Sequence, residues 1–137
     1  MIKKTELCER IISKMTIFST MDSFEKAKLY ENLKEIDVQP GKYIIREGQL
    51  GDCFYIVAEG KLVAEKQIDH EIKPVFYFKE GDYFGEIALI RNVPRQASVK
   101  TLTKVKLIYI ERGAFKRLLG PLEHILKREE VKYKKIK

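Results

Sequence analysis

Residues 83–99 read YFGEIALIRNVPRQASV, and the rest of the chain can be understood as a frame around this loop. Gly85 allows a ligand to approach the backbone closely, because glycine has no side chain. Residues 86–90, which include Ile87 and Ala88, can form one helical turn whose free N–H groups point at an anion. The loop therefore predicts an anion site that is built partly from backbone.

Two charged side chains of the loop suit different parts of one phosphate ester. Arg95 is the one cation on the second limb, residues 93–99, and its planar guanidinium matches two phosphate oxygens better than a lysine would. Glu86 is an acceptor and suits a ribose hydroxyl. Val93 before Pro94 keeps the second limb extended and turns it back toward the phosphate. Taken singly, these residues are also typical of a solvated surface turn.

The whole string is more specific than its parts. The segment FGEIALI followed by PRQASV resembles the phosphate-binding cassette of cyclic-nucleotide-binding domains, a family whose members bind cAMP or cGMP. In that family the matching glutamate holds the ribose 2′-hydroxyl and the matching arginine pairs with the cyclic phosphate. The resemblance implies these roles for Glu86 and Arg95, and it places Gln96 and Ala97 in the same site.

Length and composition favour one globular domain. The chain has 137 residues, of which 45% are hydrophobic and 34% charged. No apolar run approaches the roughly 20 residues needed to span a bilayer, so no membrane partner is predicted. No secretory signal is visible, and a cytoplasmic location is therefore expected.

Charge, cysteines and histidines indicate neither a metal site nor a catalytic centre. The formal net charge of +7 permits nucleic-acid binding, but the basic residues are scattered, and the densest group lies in the last predicted helix. The two cysteines and two histidines have no metal-ligand spacing, and no nucleophile, base and orienting group occur together. We predict no metal, no cofactor, no nucleic-acid partner and no enzymatic activity.

After Ile36 the hydrophobic period changes to two, and turn residues recur at short intervals. These features predict antiparallel strands near residues 36–38, 42–46, 53–58, 61–67, 74–78, 97–102 and 104–110. The predicted fold class is α+β, an antiparallel β jelly-roll barrel with N-terminal helices and C-terminal helices. The family's glycine and aromatic signature is matched by Gly48, Gly51-Asp52, Phe54 and Gly60.

Helices are predicted on both sides of the strands. Thr5 can cap a first helix through about Met15, and Asp22 or Ser23 can cap a second through about Leu33. The second helix carries an apolar stripe that we expect to pack in the core, made of Phe24, Ala27, Tyr30 and Leu33. The single domain, residues 1–137, then divides into a helical subdomain at about 4–33, a barrel at about 34–110 and C-terminal helices at about 112–136.

The last segment resembles the C-terminal nucleotide domain of the regulatory subunits of cAMP-dependent protein kinases. The match runs through LLGP at residues 118–121 and ILKR at residues 125–128. In those proteins a tyrosine further along the helix folds over the ligand and stacks on adenine, and the matching residue is Tyr133. Without this resemblance, Tyr133 is typical of an exposed aromatic residue on a basic terminus.

The resemblance implies a cAMP-binding regulatory domain, which would be part of a longer kinase regulatory subunit and have the kinase catalytic subunit as its partner. Ligand binding would order the loop, favour closure of the C-terminal helix and so act as a conformational switch. A cGMP-binding domain of a cGMP-dependent protein kinase is a second interpretation. Gln96 is neither the alanine usual in cAMP-selective relatives nor the threonine or serine usual in cGMP-selective ones. The basic charge also leaves open a nucleic-acid-binding module, and an enzyme is the interpretation with the least support.

Overall fold

The computed structural model of the protein describes residues 4–15, 18–19, 22–51, 53–85, 94–111, 113–114 and 117. Two helices come first in the chain, α1 (Lys4–Ile12) and α2 (Ser23–Asn32). The strands follow, and they are β1 (Lys34–Val38), β2 (Tyr43–Ile45), β3 (Cys53–Glu59), β4 (Leu62–Ile68), β5 (Glu71–Phe78), β6 (Tyr83–Phe84), β7 (Ser98–Thr101) and β8 (Val105–Glu111). No helix in the described ranges is long and apolar enough to cross a membrane.

The strands form two four-stranded sheets, with the orders β1-β8-β3-β6 and β2-β7-β4-β5. Every pairing is antiparallel. The antiparallel, β-rich fold predicted from the period of two is therefore confirmed, while its closure into a barrel stays a prediction. The C-terminal helices predicted at 112–136 lie almost entirely outside the described residues.

The first sheet is buried on both faces at its central strands, β8 and β3, while β1 is mostly exposed. Leu107 and Ile108 are neighbours in β8, and because successive side chains of a strand point to opposite faces they enter different clusters. Leu107 packs between the two sheets with residues such as Leu62 and Val99. Ile108 packs on the other face with α1 and α2 residues such as Ile11 and Leu29. Because both faces of β8 are buried, its sequence is a nearly continuous apolar run. A strand with one polar face would instead alternate apolar and polar residues.

The apolar stripe predicted for α2 is partly wrong. Leu29 and Leu33 are 1% exposed and pack in the core, but Phe24 is 68% exposed and Ala27 is also exposed. At 3.6 residues per turn, Phe24 and Ala27 lie about 140° and 160° around the helix from Leu29, so they point away from the sheet. Phe24 instead lies beneath the Lys28 ammonium, with Nζ 4.6 Å from the ring centroid.

Of the two caps predicted for α2, the structure has Asp22, and Ser23 is the first residue of the helix. The Glu25 N–H donates to the Asp22 carboxylate at 2.8 Å, and the Asp22 N–H donates to the Glu25 carboxylate at 3.0 Å. This reciprocal pair is a capping box, which satisfies two N–H groups at the helix start. By contrast, α1 ends at Ile12 rather than near Met15, the end predicted from the sequence.

Replacing Asp22 with alanine should therefore lower the free energy of unfolding by about 1 kcal/mol, because the helix loses its capping acceptor. The Asp22→Asn variant is the matched control, since an asparagine oxygen caps about as well. Urea unfolding of both variants measures the difference. Equal midpoints for Asp22→Ala and the parent would show that the cap contributes nothing.

Strand β5 starts earlier than the sequence predicted, at Glu71 rather than at Pro74. Asp69 and His70 both have positive φ, at 51° and 68°, and form a two-residue turn that pairs Ile68 with Glu71. Pro74 is tolerated because β5 is an edge strand and a bulge interrupts its pairing with β4 at this point. The connection between β4 and β5 is thus a tight hairpin turn.

Candidate functional site: a buried arginine between two glycines

The structure describes four of the eight predicted site residues. Arg95 and Gly85 are in contact, and Gln96 and Ala97 follow Arg95 directly. Gln96 is exposed, whereas Ala97 is half-buried against the cluster between the two sheets. The predicted residues Glu86, Ile87, Ala88 and Tyr133 lie outside the described residues, so their roles stay predictions.

Arg95 is buried, with only 6% of its surface exposed. Its Nη1 donates to the Gly85 carbonyl oxygen at 2.6 Å, and its Nη2 donates to the Cys53 carbonyl oxygen at 2.8 Å. Both of these acceptors are backbone carbonyl oxygens, and they orient the guanidinium. An anionic ligand beside an oriented, desolvated guanidinium is favoured more than it would be at an exposed arginine.

The backbone of Arg95 is fixed by the turn between β2 and β3. The Arg95 N–H donates to the Gln49 carbonyl at 2.7 Å, and the Gly48 N–H donates to the Arg95 carbonyl at 2.8 Å. Gly48 has φ of +88°, which a residue with a side chain rarely adopts. The turn therefore needs glycine at this position, and it holds the second limb of the loop at the start of β3.

Two further glycines make room for the guanidinium. A Cβ atom on Gly51 would lie 2.3 Å from Arg95 Cζ, and a Cβ atom on Gly85 would lie 2.8 Å from Arg95 Nη1. Real Cβ atoms essentially never approach so closely. In the structure the Arg95 side chain lies against Gly85, and the approach of a ligand to the Gly85 backbone stays a prediction.

Aromatic rings line the space between the sheets next to this arginine. The ring of Tyr55 stacks on Phe84, the residue before Gly85, with 5.2 Å between ring centroids, and it also contacts Tyr109 at 6.0 Å. Burial raises the pKa of Tyr55 to about 12, although the nearby charge of Arg95 acts in the opposite direction. The phenol therefore stays neutral at physiological pH. The sequence prediction did not include Tyr55, although alternation in β3 places Tyr55 and Cys53 on one face.

The described residues contain no group of three or more histidine, cysteine, aspartate or glutamate side chains that could hold a metal ion. Arg95 is a buried cation whose guanidinium is held by backbone carbonyls, and such an arrangement can receive an anion. Arg95 itself belongs to the second limb of the loop. The residues around it belong to the turn before β3 and to the position after β6.

Comparison with known proteins gives the class of this site. The family model of the cyclic nucleotide-binding domain matches residues 35–120. That range contains the described site and most of the strands. The chain therefore belongs to the cyclic nucleotide-binding domain family, which confirms the resemblance seen in the loop.

More specific similarity is to kinase regulatory subunits. The chain is 40% identical over 128 residues to the cAMP-dependent protein kinase regulatory subunit of Emericella nidulans, and the match covers 93% of this chain but 31% of that protein. The chain thus spans about a third of the curated relative's length. This similarity agrees with the second resemblance inferred from the C-terminal segment.

Solved structures give the same picture. A structure of PKAR CBD2 bound to Sp-2Cl-cAMPS has a TM-score of 0.85 and 41% identity, covering 97% of this chain and 88% of that chain. The regulatory subunit of a cAMP-independent protein kinase A from Trypanosoma brucei has a TM-score of 0.86 and 30% identity, covering 98% and 52%. Because one of these proteins was solved with a cAMP analogue and the other is called cAMP-independent, the fold alone does not decide the ligand.

Proposed function

We propose that this chain is a cAMP-binding regulatory domain of a cAMP-dependent protein kinase regulatory subunit. The observation that carries the proposal is Arg95, a buried cation that backbone carbonyls orient inside the family's phosphate-binding cassette. Similarity to a cAMP-dependent kinase regulatory subunit and to a domain bound to a cAMP analogue supports the choice of ligand.

The proposed site divides the nucleotide among different groups. The cyclic phosphate carries one negative charge and pairs with Arg95, with backbone N–H groups at Ile87 and Ala88 as further donors. Glu86 accepts a hydrogen bond from the ribose 2′-hydroxyl, and Tyr133 stacks on the adenine. Gly85, Gln96 and Ala97 complete the site.

The output of the proposed domain is conformational rather than catalytic. cAMP favours the state in which the loop is ordered and the C-terminal helix is closed, and this changes the surface presented to the kinase catalytic subunit. Only a difference in cAMP affinity between the two states can drive the switch. The proposal includes a single domain over residues 1–137, a cytoplasmic location and no enzymatic activity.

The proposed architecture is the jelly-roll barrel predicted from the sequence. The apolar cluster shared by the two sheets supports it, since residues such as Leu62 and Leu107 meet there from different sheets. In this arrangement the loop with Arg95 lies at the start of β3, where the turn from Gly48 to Gly51 pairs with it.

A cGMP-binding domain is the second candidate function, and the observation that supports it is the exposed side chain of Gln96. Gln96 directly follows the phosphate-binding arginine and its side chain is accessible, so it can reach a ligand. Glutamine carries both a donor and an acceptor and can pair with guanine, but it lacks the short hydroxyl found in cGMP-selective relatives. We therefore expect the parent chain to prefer cAMP.

Titration of the purified domain with cAMP and with cGMP tests the function and the purine preference together. We expect cAMP to bind more tightly, and we expect Gln96→Thr to improve cGMP binding more than cAMP binding, by up to about tenfold for one added hydrogen bond. The Ser98→Thr variant, which adds a methyl group in β7, is the control for a general effect of threonine. A parent that binds neither nucleotide contradicts the proposed function, and one that prefers cGMP reassigns it to the second candidate.

A further inference from the structure

We propose that Gly51 is a positioning residue for ligand binding, because the space left by its missing side chain is where the Arg95 guanidinium lies. This inference rests on the proposed function, since it concerns the arginine that would hold the cyclic phosphate. Gly51 is buried, and a Cβ atom built on it would lie 2.3 Å from Cζ, 2.5 Å from Nε and 2.6 Å from Nη2 of Arg95. All three of these nearest atoms belong to the guanidinium group.

The backbone conformation of Gly51 does not by itself require glycine. Gly48 and Gly85 have φ of +88° and +94°, and a side chain at either position would strain the backbone. Gly51 is not among the residues with positive φ. An alanine can therefore adopt the same backbone there, and its methyl group meets the arginine instead.

The side chain, not the backbone, is what must yield to that methyl group. The atoms that crowd the added Cβ lie at the far end of a flexible arginine, so the guanidinium can move while β3 and the turn stay in place. Such a move breaks the bonds from Nη1 to the Gly85 carbonyl and from Nη2 to the Cys53 carbonyl, at 2.6 and 2.8 Å. Arg95 then keeps its charge but loses the orientation that suits two phosphate oxygens.

Gly85 also leaves room for the Arg95 guanidinium, but its substitution is a poorer test of the inference. A Cβ atom on Gly85 would lie 2.8 Å from Arg95 Nη1, yet it would also lie 2.9 Å from the Cys53 carbonyl oxygen, which belongs to the backbone. An alanine at this position would therefore disturb β3 and strain φ as well as displace the arginine. Gly51→Ala isolates the effect on Arg95.

A double-mutant cycle with Gly51→Ala and Arg95→Ala tests the inference. Calorimetric titration with cAMP should show that Gly51→Ala weakens binding about tenfold or more, the loss typical of a charged hydrogen bond. In the Arg95→Ala background the same substitution should change affinity less than about twofold, because no guanidinium remains to be displaced. Gly41→Ala is the control for a general loss of stability, since Gly41 is exposed, has φ of +81° and has nothing within 4 Å of an added Cβ.

Urea unfolding of the four unliganded proteins supplies a second measurement. Gly51→Ala should lower the unfolding midpoint of the parent but leave that of Arg95→Ala unchanged or raised, because the methyl group then fills vacated space. Equal losses of affinity in both backgrounds, or parent affinity retained in Gly51→Ala, would overturn the inference while leaving the proposed function intact. A parent that fails to bind cAMP overturns the proposed function, and this inference with it.

Discussion

Replacing Arg95 with alanine should weaken cAMP binding by about 2–5 kcal/mol, the range found when one partner of a buried, hydrogen-bonded charge pair is truncated. The Arg95 side chain is 6% exposed, so water screens its attraction to a phosphate less than it would at a surface arginine. Its donors to Gly85 and Cys53 fix the orientation before the ligand arrives. A preoriented group loses less conformational entropy on binding.

The same substitution should leave a folded protein. It removes the hydrogen bonds to the Gly85 and Cys53 carbonyl oxygens, which cost about 1.5–3 kcal/mol each because the donor is charged, whereas a domain is typically stable by about 5–15 kcal/mol. The hydrogen bonds that join the Arg95 backbone to the Gln49 carbonyl and to the Gly48 N–H do not depend on the side chain. Calorimetry gives the affinity, and circular dichroism checks the fold.

Arg46→Ala is the matched control for Arg95→Ala. Arg46 is exposed, belongs to the neighbouring turn and lies over the Tyr43 ring, with Cζ 4.3 Å from its centroid. Its removal takes away the same formal charge without touching the seat of Arg95, so the effect on cAMP affinity should be small and should decrease with salt. If Arg95→Ala bound cAMP within a factor of about three of the parent, the phosphate role would be wrong.

The strands were predictable from the sequence because their signals are local. Alternation of apolar residues and recurring turn residues depend on a few neighbours in the chain. The pairing of strands is less local, since β4 pairs with the next strand, β5, but β3 pairs with β8, where Cys53 lies opposite Glu111. The start of β5 was missed because proline usually marks a boundary. On an edge strand its missing N–H leaves no partner unsatisfied within the sheet.

The buried face of α2 could not be decided from spacing alone. Two sets of apolar residues compete for the buried face, the predicted set of Phe24, Ala27, Tyr30 and Leu33 and the pair that is fully buried, Leu29 and Leu33. Both have spacings that fit a helix, and the angle at which the helix meets the sheet selects the one that is buried. That angle depends on β3 and β8, which supply the facing residues.

The contacts that orient the Arg95 side chain could not be predicted from the sequence for a similar reason. The cassette indicated the arginine and a phosphate, but the hydrogen bonds that orient its side chain come from Cys53 and Gly85, which are 42 and 10 positions away. The glycine signature contained the relevant clue, since it includes Gly51. Only the fold shows that the atoms which a side chain at this position would displace belong to Arg95.

A second large effect is expected from Glu86→Ala, and it depends on which ligand is used. If the Glu86 carboxylate accepts a hydrogen bond from the ribose 2′-hydroxyl, its removal should weaken cAMP binding by about 1.5–3 kcal/mol, the usual contribution of a hydrogen bond to a charged group. The 2′-deoxy analogue of cAMP has no such hydroxyl. Its affinity should therefore change little between the parent and Glu86→Ala.

Comparing the two ligands on the two proteins separates this interaction from any general effect of the mutation, because only the coupled loss reports the contact. Glu80→Ala is a suitable control variant. Glu80 is an exposed acid in the turn before β6 and pairs with Arg10 at 3.0 Å, so its removal changes the net charge by the same amount. It should affect both ligands alike and weakly, as expected for an exposed ion pair. Equal losses of cAMP and its 2′-deoxy analogue in Glu86→Ala would instead assign the carboxylate a structural role, and the ribose would have to be held by another group.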